Sequence, residues 1–256
     1  MKRYLFMTAA AVLSAVIFLA SCKEAPPRSE SPHATNVPYP TVTVDPEECF
    51  KETCFLGDSN TAHLCHSGYA AIQGLVREDQ VWTGGGNTLM LDLGMSVIDP
   101  VRKCTVKVSE LAKKERPAHL IITLGYNGYS SFASLRKESV DRLFCRAYDV
   151  LIKDIKTASP KTDIIVQSLF PVTYGTQISD PEGLNLRIRE LNGFLCNIAN
   201  ENGVKYLDTH SVLCDADGYL RAEYTSAGAF YHSDGYNLSD TGLLAVIEYI
   251  KENAYK

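Results

Sequence analysis

TCFLGDSNT, residues 53–61, is the stretch from which the fold can be read. Four residues of strand character run straight into Gly57-Asp58-Ser59, a turn that leads into helical sequence. A serine at such a strand-to-helix turn sits at the mouth of a sheet, with helix N-terminal amides near enough to stabilise negative charge. Taken alone, Gly-Asp-Ser is equally well a turn followed by an N-cap.

Working outward, short β-type runs alternate with helical ones. QVWT (80–83), HLIITLG (119–125), TDIIVQSLF (162–170) and GVKYLDT (203–209) complete a set of about five strands. The two longest are continuously apolar, as expected of strands covered on both faces. Between them, Val140, Phe144, Ala147, Leu151 and Ile155 follow helical spacing, as do Leu184, Ile188, Leu191, Leu195 and Ile198. A last helix carries Leu243, Val246, Ile247 and Ile250 behind Ser239, a cap candidate. This alternation predicts βαβ units and a parallel sheet sandwiched by helices, with ligands at the carboxyl ends of the strands.

Three further stretches fall at such ends. VWTGGGNT (81–88) is a glycine-rich loop whose backbone could approach a substrate oxygen closely, or a plain turn. ITLGYNG (122–128) places Asn127 just past a strand, as an amide donor or an Asx turn. HSDGYNLSDTG (232–242) places Asp234 before the final helix, as a functional acid or one favoured there by the helix dipole.

In this order, the four stretches resemble the signature blocks of the SGNH/GDSL hydrolase family. The resemblance spans the chain from Phe55 to the final helix, and segments such as IIVQSLFPVT and DADGYLRAEY look like its Gram-positive members. It implies a three-layer α/β/α sandwich, flavodoxin-like, and serine-dependent ester hydrolysis without a cofactor. By that resemblance Ser59 is the nucleophile and Asp234 the acid of the triad. The backbone N–H of Ser59, with Gly86 and Asn127, forms the oxyanion hole. The family's histidine, three residues after the acid, is Asn237 here, and its Gly-x-Asn-Asp is Gly-Tyr-Asn-Gly, with Gly128 last.

The first departure bears on the chemistry, because an asparagine amide cannot take the serine's proton. Losing the histidine costs serine hydrolases roughly 10⁶ in turnover, leaving about 10³–10⁴ over water. Two other histidines could stand in. His232 lies two residues before Asp234, and His63 lies four after Ser59, where a packing role is the plainer reading. Two functions follow: an ester hydrolase acting on acylated glycans or cell-wall polymers, and a non-catalytic binding protein that keeps the cleft.

The N-terminus is of another kind. Lys2 and Arg3 precede LFMTAAAVLSAVIFLA and then Leu19-Ala20-Ser21-Cys22. Residues 1–21 read as a lipoprotein signal peptide and Cys22 as the acylated mature terminus, the alternative being an ordinary signal peptide with an incidental cysteine. Residues 22–48 hold six of the eleven prolines and read as a tether to the outer face of the cell membrane. Residues 49–256 form the folded domain. A net charge of −5 disfavours nucleic acid as a partner. The other seven cysteines show no zinc spacing, so no metal is expected. They read as mostly reduced and buried, with a Cys49–Cys54 disulfide as the alternative.

Overall fold

The structure, a computed structural model, describes residues 50–66, 68–69, 72–85, 91, 93–124, 137–174, 178–225 and 235–255. They all belong to one unit, Thr43–Lys256. The signal peptide, Cys22 and the tether read from the sequence lie outside the described residues. Among the described residues, no helix is long and apolar enough to cross a membrane.

Among the described residues there are seven strands: β1 (Thr53–Gly57), β2 (Val81–Trp82), β3 (Ser96–Ile98), β4 (Thr105–Lys107), β5 (His119–Thr123), β6 (Asp163–Gln167) and β7 (Lys205–Leu207). Five of them form one parallel sheet in the order β2-β1-β5-β6-β7. With the small β3–β4 hairpin set aside, this is the flavodoxin-like doubly wound order. The helices are α1 (Ser59–His63), α2 (Val108–Glu115), α3 (Lys137–Ala158), α4 (Pro181–Glu201), α5 (Thr209–Leu213) and α6 (Asp240–Asn253).

Strand alternation divides the apolar side chains between two cores. Cys54, Leu56, Leu120, Ile122, Ile164 and Val166 face one side, where α2, α3 and α4 cover them. Phe55, Ile121, Ile165 and Leu207 face the other, beneath Leu213 of α5 and Leu243, Val246, Ile247 and Ile250 of α6. Because both faces are covered, the middles of β1, β5 and β6 are apolar without interruption. The result is a three-layer α/β/α sandwich. Ser239 caps α6, its hydroxyl accepting from Gly242 N–H at 3.2 Å.

The hairpin β3–β4 and helix α2 give no such signal in the sequence. Each strand has three residues and one buried side chain at most. A buried carboxylate organises their turn: Asp99 accepts from Val101 and Arg102 N–H at 2.9 Å and pairs with Lys114 at 3.1 Å. Those hydrogen bonds, the Arg102 N–H first, hold its carboxyl below the ordinary range. The six described cysteines are free thiols, and Cys54 is buried with its pKa pushed up to about 12 by desolvation. The Cys49–Cys54 bridge is therefore not formed on the Cys54 side, while Cys49 lies outside the described residues.

Candidate active site

Gly57 ends β1 where no side chain fits. A Cβ there would overlap the Thr61 hydroxyl and stand 2.8 Å from the Thr123 carbonyl of β5. This close approach turns the chain sharply and sets Ser59 at the carboxyl edge of the sheet, as the first residue of α1. Asp58 precedes it as N-cap residue without a side-chain cap bond. Desolvation raises the Asp58 carboxyl to about 6, against the pull of backbone N–H groups at Asn60 and its own position.

Ser59 opens onto a cavity of about 280 Å³ at the carboxyl ends of β1, β5 and β6, beside the reversal of strand order. Asp58, Asn60, Thr123 and Leu124 line one side, Leu169, Phe170, Pro171 and Val172 a second, and Tyr236 and Asn237 the third. Ser59 and Asn237, 178 positions apart in the sequence, therefore share one cavity.

Three asparagine side chains hold its walls by gripping backbone on both sides of the amide. Asn60 donates to the Tyr236 carbonyl at 3.1 Å and accepts from Leu238 N–H at 2.9 Å, so its two bonds bracket Asn237. Asn192 of α4 accepts from Leu169 N–H at 2.7 Å and donates to the Leu169 carbonyl at 3.0 Å. One repeat earlier on the same helix, Asn185 does the same for Val172, with both bonds at 2.9 Å. The buried Tyr148 of α3 holds Leu124 in a similar way, its hydroxyl accepting from Leu124 N–H at 3.2 Å and donating to the Leu124 carbonyl. Desolvation raises that phenol's pKa and keeps its proton in place. None of these four was singled out from the sequence. A signal exists for two of them: Asn185 and Asn192 lie seven apart beside Leu184 and Leu191, polar residues on a buried helical stripe.

The described histidines do not line this cavity. His63 is buried at 3% exposure, stacked on Tyr69 with ring centroids 4.8 Å apart, and its Nδ1 lies 3.0 Å from the Tyr69 hydroxyl. It takes a packing role against Tyr69. The Nδ1 of His210 lies 3.1 Å from the Leu169 carbonyl, and burial lowers its pKa. His66 bonds locally to Gly68 N–H, and His119 stands at the amino end of β5. Gly86, Asn127, His232 and Asp234 lie outside the described residues. The segments leading to three of them end at this same edge: Gly84–Gly85 after β2, Leu124 after β5 and Gly235 beside Tyr236. Among the described residues, no group of acidic, histidine and cysteine side chains could hold a metal ion.

No curated protein matches the sequence. Solved structures resemble the fold. The periplasmic domain of a lipopolysaccharide acetyltransferase from Salmonella ser. Paratyphi A aligns with a TM-score of 0.52 at 18% identity, covering 81% of this chain and 86% of that one. A GDSL-like lipase from Bacteroides thetaiotaomicron gives 0.52 at 15% identity over 79% and 87% of the two chains. An extracellular lipase from Streptomyces rimosus gives 0.51 at 12% identity over 78% and 98%. The family model for the GDSL-like lipase/acylhydrolase family matches residues 55–238, which run from the strand before Ser59 to the residue after Asn237. That range is well over half of the chain, and the chain belongs to the GDSL-like lipase/acylhydrolase family.

Proposed function

We propose that the protein is a serine-dependent hydrolase of short acyl esters carried on glycans or cell-wall polymers, held at the outer face of the membrane by acylated Cys22. The observation that carries this reading is the opening of Ser59 onto the cavity shared with Asn237. The Ser59 Oγ attacks the ester carbonyl carbon, the alcohol leaves, and water releases the acyl group from the serine. Negative charge on the carbonyl oxygen is met by Ser59 N–H, with Gly86 and Asn127 assigned by resemblance. About 280 Å³ lies at or below the roughly 300–1,000 Å³ of drug-sized ligand sites, which favours a short acyl group over a fatty chain. The chain enters β1 at Thr53, at the sheet edge opposite the cavity, which suits a substrate lying away from the anchored terminus.

Asn237 cannot receive the serine's proton, so turnover is slow unless His232 supplies a base. A second reading, a surface-binding protein without turnover, draws on Asn237 lining the cavity and on His63 and His210 being engaged elsewhere. A fluorophosphonate probe separates them. Slow labelling and slow acetate release that both disappear in Ser59→Ala are expected of the hydrolase. Labelling that persists in Ser59→Ala, or no labelling at all, removes Ser59 from the chemistry and leaves the binding reading.

A further inference from the structure

Val172 lines the cavity, and two residues on, about 7 Å along an extended chain, stands Tyr174. Its side chain is among the few large ones left open, at 56% exposure. Its neighbour is Tyr219, the ring centroids 5.2 Å apart and the planes at 68°, an edge-to-face pair.

The backbone on both sides is fixed. Leu220 N–H bonds to the Val172 carbonyl at 3.1 Å, and Thr173 N–H bonds to the Gly235 carbonyl at 3.2 Å. Tyr219 rides on a tight turn organised by Asp215, whose carboxylate accepts from Asp217 N–H at 3.0 Å and from Tyr219 N–H at 2.9 Å. Gly218 completes that turn with a φ of 83°, where a side chain would be strained.

Two exposed carboxylates, Asp217 and Glu182, act on Tyr219 electrostatically and so lie near this pair. Partial desolvation first, then Glu182, Tyr174 and the two aspartates, raises the Tyr219 phenol, which keeps it a hydrogen-bond donor.

A lone exposed aromatic ring on a protein surface needs no explanation. This one is paired, mounted on hydrogen-bonded backbone and two residues beyond Val172 of the cavity wall, on a segment bonded to the one that leads into Tyr236 and Asn237. A rigid aromatic face ringed by carboxylates and phenols suits a pyranose. The sugar's C–H face packs on the ring while its hydroxyls donate to carboxylates and accept from the phenol. A saturated lipid chain would use the apolar face and leave the carboxylates without partners.

Resting on the glycan-ester reading above, we propose that Tyr174 and Tyr219 form the sugar-binding platform of the site. One pyranose stacks on Tyr174, so that an acyl group on it, or on its neighbour, reaches the cavity beside Ser59.

The test uses the full chain carrying Ser59→Ala, which removes turnover, and a β-1,4-linked N-acetylglucosamine pentamer as probe, titrated by calorimetry. Tyr174→Ala in this background should weaken binding about tenfold, while Tyr174→Phe, which keeps the ring, should stay within about twofold. Equal binding by Tyr174→Ala, or no binding by the parent, overturns the platform. Loss of affinity for phosphatidylcholine vesicles in Tyr174→Ala, without glycan binding by the parent, would assign the pair to a membrane surface instead. Hydrolysis of p-nitrophenyl acetate by the unmodified chain reports separately on Ser59. Its absence alongside Tyr174-dependent glycan binding sinks the hydrolase and keeps the platform.

Discussion

At the scale of single residues, the proposed hydrolysis turns on position 237. Asn60 holds the backbone on either side of it, so a new side chain there meets a fixed loop and not a collapsing one. Asparagine and histidine are close in size, and Asn237 is half-buried at the cavity edge. Asn237→His should therefore raise p-nitrophenyl acetate hydrolysis by about 10²–10⁴-fold, the range of a positioned acid–base group. If instead His232→Ala collapses an already substantial activity and Asn237→His adds nothing, the base has moved to His232. Asp58 gives a second expectation. Its carboxyl is raised to about 6 by burial, so the folded chain holds that proton more tightly than the unfolded one. Its contribution to stability is full below about pH 4 and is lost as pH rises through about 6. Asp58→Asn should then stabilise the fold by about 3 kcal/mol at alkaline pH and by little at acid pH. Melting curves across that range check it, and a gain confined to acid pH would contradict the burial argument.

At the scale of elements, the cavity is built from loops that side-chain amides hold. Leu169 and Val172 follow β6 outside its ladder, and α4 bonds their backbone through Asn192 and Asn185, with Leu220 N–H also on the Val172 carbonyl. A backbone group left without such a partner in a buried wall costs about 1–3 kcal/mol, so these amides contribute directly to the shape of the site. Asn60 does the same between α1 and the segment carrying Asn237, linking the turn of Ser59 to position 237. Asn60→Ala, placed on the Asn237→His background, should remove most of the regained rate, about tenfold or more, by letting the loop drift. The loss should fall on kcat with little change in KM. A fall in KM-linked affinity alone, with kcat kept, would show that Asn60 serves only general packing.

At the scale of the whole molecule, the site and the start of the domain lie at opposite edges of the sheet: β1 begins at Thr53 and ends at Gly57, one residue before Asp58. If Cys22 carries the lipid, the proline-rich residues 23–48 are the stretch of sequence that joins it to the domain. Mass spectrometry of the mature N-terminus should find a diacylated Cys22, and Cys22→Ser should release the chain into the medium. An unmodified terminus, or cleavage at another residue, would detach the domain from the membrane in this account. One or two acyl chains matter here, because a single chain binds a membrane only marginally.

What the sequence alone determined follows from local and periodic physics. Strands β5 and β6 are legible because a parallel strand covered on both faces must be apolar at every position. Helices α3, α4 and α6 are legible from one-sided apolar spacing, and the Ser239 cap from its chemistry. The glycine before Asp58-Ser59 marks a turn whose tightness the β5 carbonyl explains. The tertiary structure decided the rest. The three-residue strands of the hairpin are too short for a period, and a buried Asp99 holds their turn through hydrogen bonds that spacing cannot show. His63 shares the short helix of Ser59, yet Tyr69 captures its ring, a contact between residues that no helical period relates. Whether an asparagine is a surface amide or the clamp of a cavity wall depends on which backbone faces it. For Asn60 that backbone arrives from 176 residues away. Periodicity reports which face of an element is buried; only the assembled chain reports what that face meets.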